Sequence, residues 1–273
     1  MGKFDGILIC TDLDGTLYKN DKTVSPENRE AIEYFKREGG AFTFITGRLP
    51  YYSVDAYNAA RPNVPFGCGN GGGVYDGAVG KYVWKCIISR EVLDLVECID
   101  RSFPTVGIQV CTFDRTYFAK ECSIMPHFRA RTGLPNLVMN YREVEEPIAK
   151  ILFVTDSEED MTGVEKTLRD HPLGYKFDFI RSERTLFEIL PKGVDKGLLL
   201  SKIVEYLRLD MKKTIAVGDY YNDVPMLRAA RVGIAVSNAC PAARDAADFI
   251  TVSNEENAIA AVIRDLESGR LGI

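Results

Sequence analysis
The chain has 273 residues, 46% of them hydrophobic and 27% charged, with a formal net charge of −5. That balance suits a globular protein with a sizeable core, and an acidic chain lacks the basic face that nucleic-acid binding requires. No apolar run approaches the roughly 20 residues of a membrane helix, so neither nucleic acid nor membrane is expected as a partner.

At about 150 residues per domain, the length allows one large domain or two modest ones. Seven scattered cysteines form no CxxC pair, and two histidines are too few for a zinc cluster. The odd cysteine count, with an acidic residue early in "MGKFDGILICTD", is read as thiols in a reducing cytoplasm rather than a secreted disulfide framework.

"GILIC" (6–10) is continuously apolar, as a strand covered on both faces would be. "SPENREAIEYFKREGG" reads as a helix with Ser25 as N-cap, Pro26 in the first turn, Ala31, Ile32 and Phe35 on the buried stripe, and Gly39 or Gly40 at its end. "AFTFITGR" (41–48) is a second strand, followed by a helix over Tyr51–Ala60, and "VPFGCGNGG" is a short strand running into glycines. The C-terminal part repeats the alternation. A helix is predicted over Lys196–Leu207, a strand in "TIAVGD" (214–219), a helix over Val224–Ala230 and a strand in "VGIAV" (232–236). A helix over Pro241–Ala246, a strand in "FITV" (249–252) and a last helix over Glu256–Leu266 complete it. This order implies α/β architecture around an open, Rossmann-like parallel sheet.

The middle differs. "KYVWKCII", "GIQVCTF", "TYFAKE", "IAKILFVT", "YKFDFIRS" and "TLFEIL" look like strands, with helices in "SREVLDLVECIDRSF" and "EEDMTGVEKTLRDH". Residues 81–191 are therefore expected to form an inserted α+β domain, with 1–80 and 192–273 as the core domain.

Four short motifs carry chemistry. In "DLDGT", Asp12 and Asp14 are two apart at the end of the first strand, where i and i+2 share a side. "FITGR" offers the Thr46 hydroxyl, "PKGVDKG" the lysine Lys196 at a helix start, and "GDYYND" (218–223) further carboxylates at a strand end. An open α/β sheet gathers such positions at the crevice outside its strand ends. Carboxylates, a hydroxyl, backbone N–H groups and one cation suit Mg²⁺-dependent phosphoryl transfer. One carboxylate can attack phosphorus and the other can handle the leaving-group proton. Against this stands the plainer reading of each residue alone, as a strand-end cap, a turn residue or a solvated lysine. Asp195 reads as a helix N-terminal residue, and "GNGGG" lacks the spacing of a dinucleotide loop.

The four motifs, in this order, resemble those of the haloacid dehalogenase superfamily of phosphatases. The long insertion and "NGGGVYDG" (70–77) resemble the Cof-type branch with a type IIB cap. The resemblance implies Asp12 as nucleophile and Mg²⁺ ligand, and Asp14 as general acid/base whose backbone carbonyl contacts the metal. It implies Leu13 backbone, Thr46, Gly47 and Asn222 on the phosphate, Lys196 between phosphate and nucleophile, and Asp219 and Asp223 at the metal. It also implies a cap that closes over the site and reads the leaving group. Arg48, Asn70, Arg115, Tyr117, His127, Arg129, Arg131 and Glu188 are the candidates for substrate recognition. The expected substrate is a small-molecule phosphate monoester, with sugar phosphates ahead of pyridoxal phosphate or flavin mononucleotide. A phosphomutase and a silent phospho-ligand-binding module stand as rivals. Oligomeric state and the resting position of the cap are left open.

Overall fold
The computed structural model describes residues 2–273, which divide into two compact units. The first comprises residues 2–47, 53–85 and 195–273, and the second 48–52 and 86–194.

The first unit is built on a five-stranded parallel sheet. Its strands are β1 (Leu8–Thr11), β2 (Ala41–Phe44), β11 (Thr214–Gly218), β12 (Val232–Ala235) and β13 (Phe249–Ile250), in the order β13-β12-β11-β1-β2. β1 is central, with Leu8 beside both Thr214 and Ala41. Every residue of β1, β11 and β12 is buried, as expected for strands covered on both faces. Helices α1 (Pro26–Arg37), α2 (Val54–Ala60), α6 (Lys196–Leu207), α7 (Val224–Ala229), α8 (Pro241–Ala246) and α9 (Ala258–Glu267) accompany it. α1 begins as its sequence predicts: the Ser25 side chain accepts a hydrogen bond from the Asn28 N–H, and Pro26 opens the first turn. Ile32 and Phe35 are buried on its inner face.

A second, three-stranded antiparallel sheet in this unit runs β3 (Phe66–Cys68), β4 (Gly73–Asp76), β5 (Lys81–Lys85). Here the structure corrects the expected boundary at residue 81. β5 pairs with β4, and its Tyr82 ring packs edge-on against Tyr75 at 5.0 Å, so the strand belongs to the first unit. The other boundary moves to residue 195, because Lys192 and the Gly193 N–H both bind Asp178 of the second unit.

The second unit has a five-stranded antiparallel sheet in the order β7-β6-β8-β10-β9, with β6 (Gly107–Thr112), β7 (Thr116–Lys120), β8 (Ile148–Val154), β9 (Phe177–Glu183) and β10 (Leu186–Pro191). α3 (Val92–Ser102) and α5 (Glu158–Asp170) bury Leu95, Val96, Ile99, Met161 and Val164 with Ile151, Phe153, Phe187 and Ile189 of the sheet. A further helix, α4 (Met125–Thr132), has no counterpart in the sequence reading, because "MPHFRART" carries no apolar stripe. The segment 48–52 joins this unit through the Tyr51 hydroxyl, 2.7 Å from Thr116 Oγ1. The predicted helix over Tyr51–Ala60 accordingly starts only at Val54. Among the described residues no helix is long and apolar enough to cross a membrane.

Candidate active site
The C-terminal ends of β1 and β11 place the first and fourth motifs side by side. Asp12 follows β1 directly, its N–H donating to the Val217 carbonyl at 2.8 Å. The chain then turns through Gly15 at φ +82°, a left-handed conformation that glycine adopts at least cost. A Cβ there would sit 2.6 Å from an oxygen of Asp219, so this position needs glycine on both counts.

Lys196 is the first residue of α6, which Asp195 caps by accepting the Leu198 N–H at 2.8 Å. Asp195 is thus a capping residue. A lysine in the first helical turn opposes the helix dipole, and here it is only 1% exposed. Two carboxylates offset that cost: Lys196 Nζ lies 2.5 Å from both Asp12 Oδ1 and Asp223 Oδ1. Burial works against the lysine's charge, but Asp12 and Asp223 more than reverse this, and its pKa is raised. α6 approaches α7 closely at Gly197, where a Cβ would come 2.7 Å from the Pro225 carbonyl oxygen. That approach sets Lys196 beside the fourth motif.

Asp223 is fully buried and organises its own loop. While Oδ1 accepts from Lys196, Oδ2 accepts the backbone N–H groups of Asp219 and Tyr220 at 2.9 and 3.0 Å. It thereby fixes the turn that presents Asp219. Asp219 is held a second time by Thr16, whose hydroxyl donates to Oδ1 at 2.8 Å. The sequence reading gave Thr16 no task; its place in "DLDGT" was the available signal.

Carboxylate oxygens of Asp12, Asp219 and Asp223 lie within 4.8 Å of one another, a group able to hold a metal ion. The charges fit that use. Burial raises the Asp12 pKa, the Lys196 ammonium pulls it down, and Asp223 and Asp219 push it up again, for a net rise. Asp219 is pushed up to about 7 by burial and by the Asp223 charge. One buried ammonium thus faces three carboxylates, and a hard divalent cation with oxygen ligands would balance the remainder. The Asp14 carboxylate is not one of these three; it is 2.9 Å from Lys22 Nζ, and its charge adds to the rise at Asp219.

The second motif comes from the chain after β2. Thr46 is 2% exposed, and its N–H donates to the Gly67 carbonyl at 3.0 Å. Asn70 is buried in a left-handed conformation at φ +54°. It accepts a hydrogen bond from Asn222 Nδ2 at 3.1 Å and would block any Cβ on Gly47, with its Nδ2 2.8 Å away. Asn70 therefore ties Gly47 to Asn222, joining the second and fourth motifs. Leu13 is buried between the two aspartates of the first.

The remaining candidates lie in the second unit, and five of them have a named partner there. Arg129 is 2.5 Å from Glu121 and over the Phe118 ring. Arg131 is 2.8 Å from Glu183 and over Phe128. Arg115 approaches Glu146 at 3.9 Å, and the Tyr117 hydroxyl donates to the same carboxylate at 2.5 Å. His127 is exposed on α4, and Arg48 is half-buried immediately after Gly47. Glu188 is buried on β10, 2.7 Å from the equally buried Lys150 of β8.

The sequence model of the haloacid dehalogenase-like hydrolases matches residues 9–263. The chain belongs to that family. Among curated relatives of this hydrolase, YitU of Bacillus subtilis, named as a 5-amino-6-(5-phospho-D-ribitylamino)uracil phosphatase, is 28% identical over 267 residues, spanning 94% of this chain and 96% of its own. A haloacid dehalogenase-like hydrolase from Bacteroides thetaiotaomicron has a TM-score of 0.84 at 27% identity, covering 97% of this chain and 100% of its own. The subclass IIB sugar phosphatase BT4131 has a TM-score of 0.83 over 96% of this chain and 99% of its own; at 18% identity that likeness is one of fold alone.

Proposed function
We propose that this hydrolase is a Mg²⁺-dependent phosphatase of small phosphate monoesters, acting through an aspartyl-phosphate on Asp12. The observation that carries the reading is Asp12 itself, a buried carboxylate at a strand end, held 2.5 Å from a buried lysine and beside the Asp219 carboxylate. Asp12, Asp219 and the Asp14 backbone carbonyl are the groups that would hold Mg²⁺, with Asp223 behind them. Bound there, the ion supplies positive charge against the phosphoryl oxygens.

The chain's own residues account for the rest. Thr46, the Gly47 N–H, the backbone at Leu13, Asn222 and Lys196 bind and orient the phosphoryl group. The Asp12 carboxylate attacks phosphorus, the bond from phosphorus to the leaving oxygen breaks, and that oxygen takes a proton from the Asp14 carboxyl. Asp14, now a carboxylate, takes a proton from water. The water oxygen attacks phosphorus, the bond to Asp12 breaks, and inorganic phosphate leaves. Lys196 pulls the Asp12 pKa down and orients the carboxylate for attack. For substrate we propose phosphorylated sugars or sugar alcohols, a class supported by the name of YitU.

The test is phosphate release from hexose phosphates, 5-amino-6-(5-phospho-D-ribitylamino)uracil, pyridoxal phosphate, flavin mononucleotide and p-nitrophenyl phosphate, with Mg²⁺ and with a chelator. Release that needs Mg²⁺ and falls roughly 10³-fold or more in Asp12→Asn is the expected result. Transfer of the phosphoryl group to a second hydroxyl without release would favour a mutase. Binding without any turnover would favour a silent module.

A further inference from the structure
Outside the four motifs, the Lys22 side chain reaches the proton-transfer carboxylate. Lys22 Nζ is 2.9 Å from Asp14 Oδ1, with side-chain exposures of 60% and 40%. An ion pair this exposed adds little to stability, so stability does not account for it.

The backbone that delivers Lys22 is built with some care. Residues 19–23 form a tight turn in which the Lys19 N–H donates to the Thr23 carbonyl and the Lys22 N–H to the Lys19 carbonyl, both at 2.9 Å. Asp21 Oδ1 accepts from both the N–H and the hydroxyl of Thr23, at 2.9 and 2.6 Å. From behind, the buried Asn254 donates to the Tyr18 carbonyl at 3.0 Å, and Glu255 accepts the Asn20 N–H at 2.7 Å. Within this pinned turn Lys22 has φ +65°. Glycine is the least costly residue in that conformation, and a long side chain there is strained. A strained non-glycine residue whose side chain ends on a reacting group is a mark of function.

We infer that Lys22 is a positioning residue for Asp14: it fixes the orientation of the carboxyl and faces the negative charge that Asp14 gains on giving its proton to the leaving oxygen. The inference rests on the phosphatase reading above. Its consequence depends on the leaving group. An alkyl oxygen needs the proton as the bond to phosphorus breaks, whereas p-nitrophenolate leaves without it.

The experiment compares kcat/KM, which reports the step that expels the leaving group, for p-nitrophenyl phosphate and for the alkyl phosphate of the panel that the wild type hydrolyses fastest. In Lys22→Met the alkyl value is expected to fall about tenfold and the aryl value less than twofold. Lys22→Arg should restore most of the alkyl value. In an Asp14→Asn background the Lys22→Met change should have no further effect. Lys22→Gly should match Lys22→Met in kinetics while melting no lower than wild type, since glycine relieves the turn. Equal losses on both esters, no loss on either, or a full additional loss in the Asp14→Asn background would overturn the inference while leaving the phosphatase reading intact. A wild-type protein that releases no phosphate from any ester overturns both.

Discussion
Asp219 shows how one residue can link the proposed metal site to folding. Its carboxyl is pushed from the ordinary 3.8 up to about 7, first by burial and then by the Asp223 charge. Between those two pH values the folded chain binds more protons here than the unfolded chain. The stability this residue contributes is therefore full below about 3.8 and is lost as pH rises through about 7. In chelator, the melting temperature should fall between about pH 5 and about pH 8, and Asp219→Asn should flatten that fall. On the proposed function Mg²⁺ binds the ionised form, so it should raise the melting temperature more at the higher pH than at the lower. A melting temperature independent of pH over that interval, or an equal Mg²⁺ effect at both ends, would contradict this account. The placement of Asp12, Thr46, Lys196 and Asp219 is legible in the sequence because each sits near the end of a strand or at the start of a helix that has its own local signal. The Lys22 contact is not, since it depends on a left-handed residue in a turn pinned by Asn254 and Glu255, more than two hundred positions away.

Single elements were legible to the extent that their signals were local. α1 announces itself through Ser25 and Pro26, and α6 and α8 match their predicted spans. β5 reads as a strand but says nothing about its partner; only the packing of Tyr82 on Tyr75 assigns it to the first unit. The strands of the second unit are legible, yet a sequence that offers Glu188 as a recognition candidate does not show its neighbour across the sheet, Lys150. Both are 2% exposed on adjacent central strands, on the sheet face opposite Ile151, Phe153 and Ile189. Burial works against the Lys150 charge, and Glu188 holds it. Removing one partner leaves a buried charge uncompensated, so Glu188→Ala should destabilise the protein by about 3–5 kcal/mol. Replacing the pair together, Lys150→Met with Glu188→Leu, should recover most of that. Urea unfolding checks both, and a Glu188→Ala variant as stable as wild type would mean that the pair has no structural weight.

The two units have separate hydrophobic cores, one around Phe35, Phe42, Phe44 and Ile215, the other around Val96, Ile99, Phe153 and Phe187. The second is almost wholly contained in residues 86–194, whereas the first is assembled from three stretches of chain. A continuous segment with its own core can fold alone. Residues 86–194 expressed by themselves should therefore melt cooperatively, and a broad, non-cooperative melt would show that the 48–52 segment is indispensable to that core.

The central place of β1 has a further consequence for biosynthesis. Leu8 pairs with Ala41 on one side and with Thr214 on the other. At about 5–20 residues per second, the roughly two hundred residues between β1 and β11 take roughly 10–40 s to synthesise. Throughout that interval the nascent strand that leads into Asp12 has one edge without its partner, a template for pairing with another chain. The contiguous 86–194 segment, by contrast, is complete before β11 emerges. A ribosome-bound chain stalled near residue 200 should hold a folded second unit and a first unit still dependent on chaperones, so the cell's surveillance of this enzyme falls on the unit that carries the candidate active site.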